Sequence, residues 1–103
     1  MQVSFSSNKF KKICEDEKIL KMTYGDRALS VIQRLNEFQA AENLHDILRL
    51  PHTRLHRLKG NMNGYFAVDI KQPYRIIIWP ENGNRNDLKT ITKIECVKIE
   101  DYH

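Results

Sequence analysis

Apolar and polar positions alternate at the start of the chain, where Gln2 and Ser4 separate Met1, Val3 and Phe5. That two-residue period belongs to a half-buried strand. Ser6 or Ser7 then offers a hydroxyl cap for a helix running to about Met22, with Phe10, Ile13 and Leu20 as its apolar stripe. Asp26 is placed to cap a second helix through about Ala41, in which Leu29, Ile32, Leu35 and Phe38 recur every three residues. This pattern predicts one apolar face laid against a sheet. Asn43 caps a short helical turn through about Leu48, and Pro51 ends it.

From Leu55 onward the pattern changes to strands, at Leu55 to Leu58, Tyr65 to Ile70, Tyr74 to Trp79 and Thr92 to Ile99. Gly60, Asn61, Asn63 and Gly64 form the turn between the first two, and Lys71-Gln72-Pro73 joins the next pair. Phe66, Val68 and Ile70 are expected to face the helices, with Tyr65, Ala67 and Asp69 facing away. Tyr74, Ile76 and Ile78 share one face of the next strand and Arg75, Ile77 and Trp79 the other, so both faces are largely apolar. A central strand is implied. In the last strand the apolar set changes phase between Ile94/Cys96 and Val97/Ile99, which predicts a bulge or burial on both faces. The polar Pro80 to Asp87 segment reads as a pure connector. The expected fold is α+β: an N-terminal strand and two helices packed on a small twisted antiparallel sheet, in one domain covering residues 1–103.

Charge refines this picture through its distribution. The chain has 17 Lys+Arg and 13 Asp+Glu, a net +4. Residues 47–68 contain no acid but hold Arg49, Arg54, Arg57 and Lys59, so this stretch carries the whole excess, accompanied by His52 and His56. A polyanionic partner is suggested, against the alternative of a solvated basic loop. Cys14 and Cys96 stand alone, without the spacing of a zinc site, and are expected to be reduced core thiols. The first dozen residues lack an apolar core segment and the longest apolar run is Ile76 to Trp79, so neither secretion nor a membrane span is expected. The protein is expected in the cytoplasm.

Two short clusters carry candidate chemistry: His56-Arg57-Leu58-Lys59-Gly60, and the terminal Asp101-Tyr102-His103. An RNA phosphodiester is broken most readily by its own 2′-hydroxyl. The reaction needs a base for that proton, an acid for the departing 5′-oxygen, and positive charge on the phosphorane. Histidine, with a reference pKa of about 6.5, serves the first two near neutrality, and lysine or arginine serves the third. Strict strand geometry would point His56 and Lys59 to opposite faces. The strand must therefore end or bulge near Leu58, which Gly60 makes feasible.

The order of Leu55-His56-Arg57-Leu58-Lys59-Gly60, Gly64-Tyr65-Phe66-Ala67-Val68, Tyr74-Arg75-Ile76 and Asp101-Tyr102-His103 resembles the RelE/ParE superfamily of bacterial toxins. Within it, the match is to the HigB-like group of killer proteins, and it extends over roughly residues 1–103. The resemblance implies a toxin of a type II toxin-antitoxin pair that enters the ribosomal A site and cuts mRNA without metal or other cofactor, leaving a 2′,3′-cyclic phosphate and a 5′-hydroxyl. It implies that His56 and His103 share acid and base work, that Lys59 stabilises phosphate charge, and that Tyr102 orients or stacks on a base. Asp101 would position a histidine or the phenol, or serve as a simple ion-pair partner. Arg75 would contact the scissile phosphate, or pair with an internal carboxylate such as Asp69. The acid-free stretch adds Arg49, Arg54 and Arg57, whose charges are expected to bind the substrate's phosphates. The implied partner is a HigA-like helix-turn-helix antitoxin, through which alone the complex would reach DNA.

Two departures from the family pattern bear on substrate choice. Asn61-Met62-Asn63 stands where a charged, often basic segment is common, and the Pro80 to Thr92 connector is longer than usual. The competing readings are a ParE-like gyrase-binding inhibitor of the same fold, without RNA chemistry, and a catalytically silent homologue.

Overall fold

The computed structural model describes residues 1–101. In chain order its elements are strand β1 (Gln2–Phe5), helices α1 (Asn8–Glu15), α2 (Glu17–Tyr24), α3 (Ala28–Ala40) and α4 (Leu44–Leu48), then strands β2 (His56–Arg57), β3 (Phe66–Asp69), β4 (Tyr74–Pro80) and β5 (Lys93–Asp101). Ser7 caps α1 by accepting from the Phe10 N–H at 3.1 Å. The single helix expected to run on to Met22 is instead two. Asp16 leaves helical backbone space (φ −116°, ψ 108°), and its carboxylate accepts from the Lys18 and Ile19 N–H groups at 2.9 and 3.1 Å, opening α2. A short acidic side chain competes well with the helix for its own backbone donors.

Asp26 does not cap the following helix. It lies in a 3-10 turn, Gly25–Arg27, that runs directly into α3, and it pairs with Lys71 at 2.6 Å. The apolar stripe of α3 is also displaced from the expected one: Ala28, Val31, Leu35 and Phe38 are buried, whereas Leu29 is 64% exposed. The cause is geometric. Three residues turn a helix by only about 300°, so a strict three-residue repeat precesses and puts Leu29 about half a turn away from Phe38.

The sheet has five strands in the order β1-β5-β4-β3-β2. β2, β3, β4 and β5 form the expected antiparallel meander, but β1 runs parallel to β5, with Val3 opposite Ile94 and Phe5 opposite Cys96. The N-terminal strand thus joins the antiparallel meander at its edge and makes the whole sheet mixed. The helical segment carries the chain to the far edge, and the meander then returns strand by strand until β5 lies beside β1.

The helices cover one face of this sheet, where Phe66, Val68, Ile76, Ile78, Ile94 and Cys96 join Leu20, Val31, Phe38 and Ile47 in the main core. The other face, called here the open face, holds a smaller cluster of Leu58, Ala67 and Ile77, flanked by Met62, Tyr65 and Val97. Ala67 and Asp69 face away from the helices as expected, yet both are buried. β4 lies between β3 and β5, as its two apolar faces imply.

The phase change in β5 is a bulge. Ile77 faces Lys98 but Ile78 faces Cys96, so Val97 is the extra residue. Cys14 and Cys96 are free and buried. Burial and the neighbouring Glu15 push the Cys14 thiol up to about 12, and burial pushes that of Cys96 higher still. No helix among the described residues is long and apolar enough to cross a membrane.

The position of the α3 stripe has a measurable consequence. Phe38→Ala is expected to cost about 3–5 kcal/mol by leaving a cavity, whereas Leu29→Ala stays within about 0.5 kcal/mol. Urea unfolding of both variants checks this, and similar losses would mean that α3 docks through the Leu29 face instead.

Candidate active site

Chain geometry on either side of β2 sets the character of this site. Pro51–Thr53 forms a 3-10 turn closed by Arg54, whose φ of 48° makes it the one non-glycine residue with positive φ among the described residues. Such a conformation costs about 1–2 kcal/mol. Contacts on two sides hold it: the Arg54 N–H donates to the Pro51 carbonyl at 3.2 Å, and the guanidinium pairs with Asp69 at 3.1 Å. The turn aims the Arg54 carbonyl at the His56 ring, 2.7 Å from Nδ1. A carbonyl can only accept, so Nδ1 carries the proton, and Nε2 of the neutral ring is left as the basic nitrogen.

β2 ends after Arg57, with Leu58 N–H still donating to the Tyr65 carbonyl at 3.0 Å. Lys59 then starts the 3-10 turn Gly60–Met62, in which Gly60 has φ 64°. The strand thus stops where the spacing of His56 and Lys59 requires. His56, Arg57 and Lys59 are all exposed. His56 and Arg57 line one cavity of about 650 Å³, and Arg57 and Lys59 line a second of about 320 Å³. Arg57 is common to both. Its guanidinium lies 5.4 Å from the Phe66 ring centroid and donates to the Arg85 carbonyl.

A row of charge crosses the open face. Arg54 meets Asp69, whose carboxylate also accepts from Gln72 at 3.0 Å and whose backbone carbonyl accepts from Arg34 at 2.8 Å. On the next two strands Arg75 donates to Glu100 through Nε and Nη2 at 3.0 and 2.8 Å, and Lys98 reaches the other Glu100 oxygen at 3.1 Å. Asp69 lies opposite Arg75 in the register but pairs with Arg54, and Glu100 takes the carboxylate role beside Arg75. Burial raises the Glu100 carboxyl, but hydrogen bonds from Arg75 and Lys98 outweigh it and hold the group below its ordinary value of 4.5.

Asp101 is the last residue of β5, paired with Tyr74. Three strand spacings, roughly 14 Å, separate β5 from β2. Tyr102 and His103 lie outside the described residues. Arg49, at the end of α4, is exposed, and among the described residues neither it nor Lys59 has an ion-pair partner. His52 pairs with Glu37.

The 80–87 segment is more than a connector. Arg85 donates to the Gly64 and Pro80 carbonyls at 2.8 and 3.1 Å, and its guanidinium lies 4.4 Å from the Trp79 ring centroid. Trp79 in turn packs on Tyr65, with ring centroids 4.6 Å apart. Gly83 (φ 75°) allows the fold-back, since a Cβ there would come within 2.4 Å of the Thr90 carbonyl oxygen. Sequence reasoning missed Arg85 and Glu100. Glu100 had a detectable signal, because Lys98 and Glu100 alternate on one face of an apolar strand. Among the described residues no group of three or more His, Cys, Asp or Glu side chains is placed to hold a metal ion.

Residues 3–90 match the family described as the RelE-like toxin of type II toxin-antitoxin system HigB. A solved YoeB/ParE toxin from Agrobacterium tumefaciens is similar in fold, with a TM-score of 0.56 at 15% sequence identity and 100% of each chain covered. No curated protein matches the sequence.

Glu100 gives the site a defined acid response. Its carboxyl is lowered in the folded protein, so the stabilisation it supplies is complete above the ordinary value of 4.5 and is lost as pH falls through the lower folded value. Glu100→Gln is therefore expected to flatten the fall of the urea midpoint below pH 4.5. Parallel curves for the two proteins would show that the Arg75–Glu100–Lys98 group contributes no acid sensitivity.

Proposed function

The chain belongs to the RelE-like HigB toxins of type II toxin-antitoxin systems, and from that premise we propose that it is a ribosome-dependent endoribonuclease that cuts mRNA in the A site. Toxins of this family are generally endoribonucleases, and membership implies an antitoxin partner. The observation that carries the finer reading is the His56 ring, exposed and locked by the Arg54 carbonyl with Nε2 as its basic nitrogen. A base fixed in one tautomer enters the reaction without first reorganising.

In the proposed mechanism, His56 Nε2 takes the 2′-hydroxyl proton as the oxygen attacks the adjacent phosphorus. The P–O5′ bond breaks, and the proton for the leaving oxygen comes from His103. The products are a 2′,3′-cyclic phosphate and a 5′-hydroxyl. Lys59 supplies charge to the phosphorane oxygens. Arg75, held by Glu100, contacts a phosphate. Tyr102 orients or stacks on a base, and Asp101 positions a histidine or the Tyr102 phenol. All these roles belong to side chains, without metal or cofactor. Arg54 acts mainly through its carbonyl, because its own charge is met by Asp69. The reading places the protein in the cytoplasm as one folded unit, with the ribosome and mRNA as targets. A HigA-like helix-turn-helix antitoxin silences it and supplies any contact with DNA.

His56→Ala, Lys59→Ala and a deletion of residues 102–103 are each expected to lower codon-phased mRNA cleavage by about 10²- to 10⁴-fold, with melting temperatures nearly unchanged. Primer extension after induction reads the first quantity. Breaks that persist in all three would remove the acid/base assignment, and gyrase-dependent DNA damage in their place would favour the ParE-like alternative.

Ribosome binding is expected to weaken with salt. Arg49, Arg57 and Lys59 have no carboxylate partner among the described residues, so about three phosphate contacts give a log-log slope of about −2 to −3. Arg49→Ala combined with Arg57→Ala flattens it by about one to two. A slope untouched by that pair would locate the RNA surface elsewhere.

A further inference from the structure

A cavity of about 650 Å³ lies beside β2, with His56 on its wall. Leu48, Leu55, Phe66 and Leu88 give it an apolar lining. Leu48 is 48% exposed there, although its helix neighbours Leu44 and Ile47 are fully buried. The rim is basic, with Arg57 and Lys89 accompanied by His45 and His56, and Asp87 is its one carboxylate. One Asp87 oxygen is engaged by the Lys89 N–H at 3.3 Å. An apolar slot with a cationic rim and a few polar groups suits a ligand that is flat, edged with hydrogen-bonding atoms and attached to phosphate.

The 86–89 segment that closes this slot belongs to the long 80–92 connector, and it is held in place. Arg57 donates to the Arg85 carbonyl, and Arg85 is itself bonded to Gly64 and Pro80. The same contact sets the exposed Arg57 guanidinium over the Phe66 ring, giving a planar cation on which a base can stack. Asn86 stands beside it. Its backbone N–H is bonded to Asn84, but among the described residues its side-chain amide makes no hydrogen bond. A primary amide offers a donor and an acceptor side by side, the pattern that reads one edge of a nucleobase.

We infer that this cavity is a base-reading subsite: it receives the base of an mRNA nucleotide next to the scissile bond, stacked on Arg57 and read by the Asn86 amide, with Lys89 on the adjoining phosphate. The inference rests on the reading of the chain as an RNA-cutting toxin. It makes the connector a specificity element, with Leu48 and Leu88 as the apolar walls that keep water from the base. An acidic antitoxin segment is the other class of ligand that a basic, apolar slot accommodates. The Asn86 amide and the wall shared with His56 favour the nucleotide.

Two measurements on the full chain test it. Addition of 5′-AMP, 5′-GMP, 5′-CMP or 5′-UMP is expected to move the backbone amide resonances of residues 57 and 86–89 saturably for at least one nucleotide. Leu48→Asp, which places a carboxylate in the slot at an already exposed position, is expected to abolish the shift. Cleavage maps are then compared as ratios among codons, so that overall rate drops out. Asn86→Ala is expected to reduce the preference for one base at one codon position by at least about fivefold. Resonances that stay still with all four nucleotides, or a codon preference unchanged in Asn86→Ala, overturn the subsite. So does a response of residues 86–89 to the antitoxin alone. Saturable nucleotide shifts in a wild-type protein that cuts no translated mRNA support the subsite and reject the endonuclease reading instead.

Discussion

A strand sends successive side chains to opposite faces, so the nine residues of β5 can satisfy both the core and the open face only if their alternation is reset partway along. Val97 performs that reset. Before it, Ile94 and Cys96 face the helices. After it, Ile99 does so opposite Ile76, while Lys98 and Glu100 face outward opposite Ile77 and Arg75. Without the extra residue, Ile99 would be turned into water or Glu100 into the core. A buried carboxylate without its partners is far more costly than a local break in a strand ladder. Apolar burial thereby fixes the position of the Arg75–Glu100–Lys98 group, and with it the electrostatics of the open face.

Much of this was legible in the residues themselves, and the exceptions have physical causes. The phase change at Val97, the end of β2 before Lys59 and the two-sided burial of β4 follow from periodicity and one glycine, because strand alternation admits few solutions. The buried α3 face departs from the repeat of Leu29, Ile32, Leu35 and Phe38 because a three-residue repeat precesses around a helix of 3.6 residues per turn. The break at Asp16 was hidden inside a continuous amphipathic pattern, where a capping carboxylate looks like one more exposed charge. Local sequence carries no information on whether β1 joins the sheet parallel or antiparallel. That depends on which edge the helices leave open.

The candidate site divides along the same line. His56, Arg57 and Lys59 stand out as a dense group in an acid-free stretch, and the structure leaves all three exposed. The His56 ring is held locally by the Arg54 carbonyl, but the groups around it are held by residues distant in sequence and invisible without the fold. Asp69 holds Arg54 from the adjacent strand, Glu100 holds Arg75 from β5, and Arg85 reaches back across the sheet edge to Gly64. Candidate groups can be recognised by type, whereas the groups that orient them are recognised only by position. Tyr102 and His103, read from the same kind of local cluster, lie beyond the described residues.

The parallel pairing of β1 with β5 also imposes a timetable. Residues 2–5 are made before every other strand described, yet among the described residues their strand partner is residues 93–96. At about 5–20 residues per second of synthesis, β1 waits on the order of 5 to 20 s before its neighbour exists. Closing so long a loop also places this contact among the slow, non-local steps of folding. During that interval β4 lacks β5 as well, so the Arg75–Glu100 pair cannot form. A protein whose proposed target is the ribosome is thus built so that its sheet closes, and its charged face assembles, only once β5 has been delivered.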